Sequence, residues 1–335
     1  MGLTLIYAII IFCLLIFVHE FGHFIAAKAV GVRVNEFSLG MGPGLIHFGK
    51  GETKYSLRAF PIGGYVNLEG EEEESNDPRS FNRKAPWQKA IVVVAGSVMN
   101  LVTTIVIIAI IVLVLGFTTN TIGEVAEGYP SEAAGLMPGD EIIKINDTEI
   151  GSWNDVMSTL AESTGETVNI VVIRDGETIS LTSGVTTDET GRRIIGITSK
   201  IEHSVLKSLK TGVASTWALT KEMINYLGQL FRGEGSMEDL VGPVGIVSII
   251  NDQAKLGIIY IANLAALISL NLAIVNMLPF PALDGGKLLF LIIRLFTGKV
   301  ISDEIEAKIH FAGILILFGL MIYLVIQDVD RFILN

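Results

Sequence analysis

Residues 3–30 read LTLIYAIIIFCLLIFVHEFGHFIAAKAV, an apolar run that carries His19-Glu20-Phe21-Gly22-His23 in its second half. The run is long enough to cross a bilayer, which takes about 20 apolar residues in a helix. Read as one helix, it sets His19 and His23 four residues apart on one face. There both imidazoles can hold a single metal ion, with Glu20 beside them as a candidate general base. The pattern is uncommon: with five histidines in 335 residues, chance places it in roughly one such chain in a few hundred. Its setting sharpens the signal, because His and Glu are costly in hydrocarbon and mark function when they occur there. No basic residue precedes the run, and it passes directly into the His-Glu cluster. It therefore reads as an uncleaved helix and not as a signal peptide.

The whole chain fits that setting. Half of its residues are hydrophobic and 18% are charged, with a mean hydropathy of +0.56, which points to a polytopic membrane protein carrying a soluble part. The net charge of -11 argues against a nucleic-acid partner and leaves membrane lipids as the surroundings. One cysteine, Cys13, excludes an intramolecular disulfide and a cysteine zinc cluster, so any metal must sit on His and carboxylates. Further apolar runs cover about residues 90–117, 256–278 and 311–326, for four spans in all. Lys28, Arg33, Lys50, Lys54, Arg58, Arg79, Arg83, Lys84 and Lys89 lie between the first two spans. Lys287, Arg294, Lys299 and Lys308 lie between the last two, and the tail has Arg331 alone. The excess of Lys and Arg puts both of these loops in the cytoplasm and both termini outside, together with the insertion at about residues 120–253.

The first loop has strand character, KYSLRAF then PIGGYVNLEG, with Gly63-Gly64 as a turn or bulge signal. The EEEESNDP run at 71–78 reads as a solvated linker. The outer insertion opens with a small α/β domain at residues 120–200: a strand, a short helix at SEAAG, a Pro-Gly-Asp turn, a strand, a helix, and a hairpin turning at Asp175-Gly176. Its stretch GLMPGDEIIKIN resembles a PDZ domain of the kind attached to bacterial proteases. Such domains bind peptides by strand addition, often capturing a terminal carboxylate; a steric cap that binds no peptide is the alternative. Residues 201–255 form a linker segment. Within it, apolar residues at 204–231 recur at helical spacing with Lys207, Lys210 and Lys221 opposite, predicting an amphipathic helix at the membrane surface or against the soluble domain. The membrane parts are then residues 1–119 and 256–335.

Two imidazoles do not complete a catalytic zinc site, which uses three protein ligands and keeps a fourth position open. NMLPFPALDGG, residues 276–286, ends the third span and holds Asp284. Pro279 and Pro281 break the helix there, and irregular backbone at membrane depth is tolerated where it lines a cavity or is buried in protein. Gly285 and Gly286 would let backbone come close to the metal. Asp284 equally suits an N-cap for the helix GKLLFLIIRLF; beside HEFGH the ligand reading is the stronger. Asn263 and Asn271 suit interhelical hydrogen bonds. His47, His203 and His310 have no partner at metal spacing and receive no role.

In order along the chain, HEFGH, FSLGMGPGL, LRAFPIGGYVNLEG, SFNRKAPWQKAIVVVAGSVMN, one PDZ-like domain, GPVGI and NMLPFPALDGG resemble the bacterial site-2 proteases, intramembrane zinc metalloproteases of the RseP/RasP type. The resemblance covers nearly the whole length. It implies a fold of about four transmembrane helices with a membrane-associated β-hairpin and one inserted extracytoplasmic PDZ domain, in a bacterial cell membrane. It implies Zn2+ held by His19, His23 and Asp284, with Glu20 as catalytic base. It further implies Asn276 and the edge Gly63, Gly64, Tyr65 and Val66 as substrate contacts, and single-span proteins such as anti-sigma factors or remnant signal peptides as substrates. Two features depart from the family pattern. Ala95-Gly96-Ser97 stands where AGP is frequent, which puts a kink in the second span in doubt, and one PDZ domain is present where some relatives have two. A PDZ adaptor on a membrane anchor is the non-enzymatic rival, and it would need neither Glu20 nor the carboxylate at LDGG. A metal transporter fits the outer domain poorly, and the apolar setting of HEFGH excludes a soluble zinc protease.

Overall fold

A computed structural model describes residues 2–49, 51–71, 75–236, 240–298 and 302–334; Glu72, Glu73 and Glu74 of the acidic run, and Lys50 and Lys299, lie outside the described residues. The chain divides into two units, Met1–Ile111 with Leu209–Asn335, and Val112–Ser208. In the first, helix α1 (Gly2–Ala29) takes in the whole apolar run and HEFGH. Strands β1 (Val34–Phe48) and β2 (Lys54–Leu68) form the expected hairpin, bent double. Phe37 pairs with both Val66 and Tyr55, and residues 36–39 run between two stretches of β2. Residues 64–68 pair with β1 along one side only among the described residues. Met41, Leu45, Ile46, Phe48 and Phe60 leave the outer part of the hairpin apolar and exposed, as a membrane-associated element requires. Helix α2 (Pro86–Leu115) starts with Pro86, whose missing N–H costs nothing in a first turn. It runs unbroken through Ala95-Gly96-Ser97.

The second unit is an antiparallel sheet around its own core. Strand β3 (Phe117–Val125), helix α3 (Pro130–Ala133), strands β4 (Glu141–Ile145) and β5 (Thr148–Glu149), helix α4 (Trp153–Glu162), and strands β6 (Thr167–Arg174), β7 (Glu177–Gly184), β8 (Thr186–Thr187), β9 (Arg193–Ile194) and β10 (Ile197–Glu202) follow in turn. The main sheet has the order β10-β3-β4-β6-β7. Period-2 alternation sends Val168, Ile170 and Val172 of β6 inward, a break in register between Ile142 and Lys144 lets both Ile142 and Ile145 of β4 join them, and Val156 and Leu160 of α4 meet this face. Ser152 and Asp155 close a capping box on α4. Asp175 and Gly176 both have positive φ, 52° and 86°, which is the primed turn the Asp-Gly pair predicts. In the Pro-Gly-Asp turn, Asp140 accepts from Arg174 Nε and Nη2, both at 2.7 Å, and from the Met137 N–H. Burial works against its charge, but these donors hold its carboxyl below the usual range.

Back in the first unit come helices α5 (Val205–Phe231), α6 (Pro243–Leu256), α7 (Ile258–Asn276), α8 (Asp284–Thr297) and α9 (Asp303–Val329). Among the described residues, four helical stretches are long and apolar enough to cross a membrane: Thr4–Ala29, Pro86–Leu115, Ile258–Asn276 and Glu304–Phe332. The last begins before the apolar run at 311–326 that predicted it. Helix α5 is amphipathic in an unexpected sense. Ser208 and Thr216 are buried and Gly212 packs on the Ile105 carbonyl of α2, while Leu209, Val213 and Trp217 are exposed. Small residues inward and large apolar ones outward is the packing habit of helices in lipid. The motif GPVGI also acquires an account. The carboxylate of Asp328, at the end of α9, accepts from the Gly242 and Gly245 N–H groups at 3.1 and 2.8 Å and so caps α6. A Cβ on either glycine would collide with it.

Candidate metal centre

The site is assembled by three helices. On α1 the i, i+4 spacing turns His19 and His23 to one side, while Phe17, Phe21 and Phe24, on the other side of the helix, pack with Phe37 of β1. Helix α2 passes close by because two glycines allow it. A methyl on Gly22 would strike the Ala95 carbonyl, and a methyl on Gly96 would strike both imidazoles. Asp284 comes from the start of α8. His19 Nε2 and His23 Nε2 lie 3.2 Å apart and stand 3.1 and 3.3 Å from Asp284 Oδ2. Two ligands about 2.0–2.1 Å from a zinc ion in a tetrahedral site stand roughly 3.3 Å from each other, so the three atoms are spaced as the edges of such a site. Their ring partners agree. His23 Nδ1 faces the Val92 carbonyl at 2.8 Å; a carbonyl only accepts, so Nδ1 carries the proton and Nε2 offers its lone pair to a metal. The donor set and its spacing fit Zn2+.

Asp284 is not the helix cap that its position also suggested. Leu283 occupies the N-cap of α8 without a side-chain bond, and Asp284 stands in the first turn with its carboxylate turned to the two histidines. Gly285 and Gly286 serve differently from expectation too. A Cβ on either would strike the backbone carbonyls of Met277, Leu278 or Phe280, so they let the loop fold onto itself. Nor is His310 idle. Its Nδ1 accepts the Ala282 N–H at 2.9 Å, which fixes the loop at a residue with φ 80°, and Gly313 packs on the Pro281 carbonyl. Sequence reasoning missed it because its partner is a backbone amide and not a metal ligand.

A cavity of about 270 Å3 opens at the cluster and is lined by His19, Glu20, His23, Gly64, Tyr65, Val66, Glu71, Asp284 and Lys287 among others. Gly64 lies directly on the Glu20 side chain, and a Cβ there would fall 2.5 Å from Glu20 Cγ. Gly63, also singled out in the sequence, has φ 94° and neighbours Met41. Asn276 ends α7 with Nδ2 3.4 Å from His19 Nε2. Glu71 and Lys287 pair across the cavity lining at 2.7 Å. Asn100, Gly96 and Val92 surround the histidines from α2 and were not singled out in the sequence; the four-residue interval from 92 to 96 to 100 is the signal that marks their shared face.

Four membrane-length helices and a His-His-Asp cluster with a carboxylate beside it define a membrane metallopeptidase. Peptidase family M50 matches residues 7–320, and the chain belongs to it; it is a multi-pass membrane protein and a zinc metalloprotease of the RasP type. A Clostridium acetobutylicum protein is 35% identical over 330 residues, covering 97% of each chain. The zinc metalloprotease RasP of Bacillus licheniformis is 31% identical, covering 99% of this chain and all of that one. The regulator of sigma-W protease RasP of Bacillus subtilis is 30% identical, covering 99% of each. The PDZ domain of an SdrC-like protein from Listeria innocua matches 26% of this chain and 97% of its own, at 24% identity and a TM-score of 0.23.

Proposed function

We propose that the chain hydrolyses peptide bonds within the membrane-spanning segments of single-span proteins, with His19, His23 and Asp284 holding zinc and Glu20 acting as general base. The observation that carries this reading is the shared cavity. Glu20 and the three ligands line it together with a stretch of β2 whose outer side has no strand partner among the described residues. A substrate helix keeps its carbonyls hydrogen-bonded and must unwind before attack. Pairing the unwound segment with Gly63, Gly64, Tyr65 and Val66 replaces those bonds. Zinc, when bound, supplies a Lewis acid that polarises the carbonyl and acidifies water. Glu20 takes the proton from the attacking water and returns it to the leaving amine. Asn276, within reach of the cluster, donates to the substrate carbonyl and orients it.

Anti-sigma factors and remnant signal peptides are the proposed substrates, in keeping with the name of the Bacillus subtilis relative. The sheet unit binds peptide C-termini. The excess of Lys and Arg in the two loops supports an active site that faces the cytoplasm, with both termini and the sheet unit outside. The test is cleavage of a tagged single-span substrate in membranes by wild type and Glu20→Gln, with zinc content measured in both. Cleavage by the wild type alone, with zinc in both proteins, is the expected result. Equal cleavage by both would sink the assignment of Glu20.

A further inference from the structure

Helix α2 touches the metal centre at three points four residues apart. Val92 accepts the His23 Nδ1–H on its carbonyl, Gly96 clears room for both rings, and Asn100 reaches His19. The Asn100 side chain is fully buried, its Nδ2 lies 3.3 Å from His19 Nδ1, and its Oδ1 has no partner among the described residues. The backbone of this residue is already secured, since its carbonyl accepts from Ser269 Oγ at 2.9 Å and Thr104 Oγ1 at 3.0 Å. Two arrangements of the amide are open. With Nδ2 towards the ring, His19 Nδ1 accepts, its proton sits on Nε2, and that proton points to where a metal must bind. A half-turn exchanges two groups of near-equal size and presents Oδ1, which accepts the Nδ1 proton and leaves Nε2 as a lone pair.

We propose that Asn100 is the positioning residue of the metal centre, its Oδ1 accepting the His19 Nδ1–H and holding the imidazole in the tautomer that ligates through Nε2. His23 and His19 are then treated alike, one by a backbone carbonyl and one by a side-chain carbonyl about two turns along the same face of α2. This pairing of a ligand histidine with an outer acceptor is a general device of zinc sites, and its loss typically costs 10–100-fold in metal affinity. The inference rests on the ligand assignment made above, so the experiment includes a control on that assignment.

The test is zinc affinity of the full-length protein in detergent, measured by competition with a chromophoric chelator, for wild type, Asn100→Asp, Asn100→Leu and His23→Ala. Asn100→Asp keeps an acceptor and removes every donor. It is expected to bind zinc at least as tightly as wild type, with unchanged absorption bands when cobalt replaces zinc. Asn100→Leu is expected to bind about 10–100-fold more weakly. If Asn100→Asp weakens binding tenfold or more, the residue acts as a donor and the proposal is overturned, whatever the folding of Asn100→Leu. Wild-type affinity in a folded Asn100→Leu overturns it as well. Wild-type affinity in His23→Ala would instead overturn the ligand assignment, and this proposal with it.

Discussion

Gly96 decides how close α2 comes to the proposed metal ligands. A methyl there would strike His23 Nε2 and His19 Cε1, the two rings whose inner nitrogens converge on Asp284. Gly96→Ala is therefore expected to purify as a membrane-embedded helical protein with zinc content near background, as read by elemental analysis. A full complement of zinc would mean that the rings have slack the geometry does not suggest. The His-His-Asp cluster was legible in the sequence, because i, i+4 spacing is a local property of one helix and a carboxylate at a proline-broken span end is rare. Gly96, Asn100 and His310 were not. Each acts on a partner between 28 and 81 positions away, and neither periodicity nor composition encodes which helix face will meet which.

At the scale of elements, turns and spans were legible and the packing between them was not. The Asp175-Gly176 turn and the capped α4 follow from residue types, whereas Asp328 caps α6 from 83 residues away. Helix α5 shows the limit best: its period was plain, but which face is buried depends on the solvent. Within the sheet unit, Asp140 ties the turn before β4 to the end of β6 through a two-pronged bond with Arg174. The folded carboxyl titrates below its unfolded value of about 3.9. The bond thus contributes stability above that pH and loses it as pH falls through the folded value. Hydrogen exchange of the β6 amides in the full chain should show protection decreasing on acidification. Asp140→Asn should lose about 1–3 kcal/mol at neutral pH and respond less to acid; identical profiles would remove the bond from the account.

At the scale of the whole molecule, large apolar side chains stand outward along the membrane-length helices, and along α5 they alternate with exposed Lys207, Lys210 and Lys221. Leu5, Ile10, Ile110, Ile314 and Phe318 are all more than half exposed, an arrangement that hydrocarbon satisfies and water does not. Trp217 belongs to this surface and is 62% exposed, whereas Trp153 packs on the core of the sheet unit. Variants retaining one tryptophan each, placed in nanodiscs of brominated lipid, should separate the two: strong quenching for Trp217 and little for Trp153. Equal emission from both would place α5 away from lipid.

The seam between α9 and the proline loop bears on heredity as much as on chemistry. His310 and Gly313 hold residues 281 and 282 in place, two positions before a proposed ligand, yet α9 itself supplies nothing to the cluster. A screen for inactive alleles would return lesions on this helix, and they would be classed as assembly defects. Their natural suppressor is Ala282→Gly, since glycine adopts a φ of 80° without the restraint that α9 now provides.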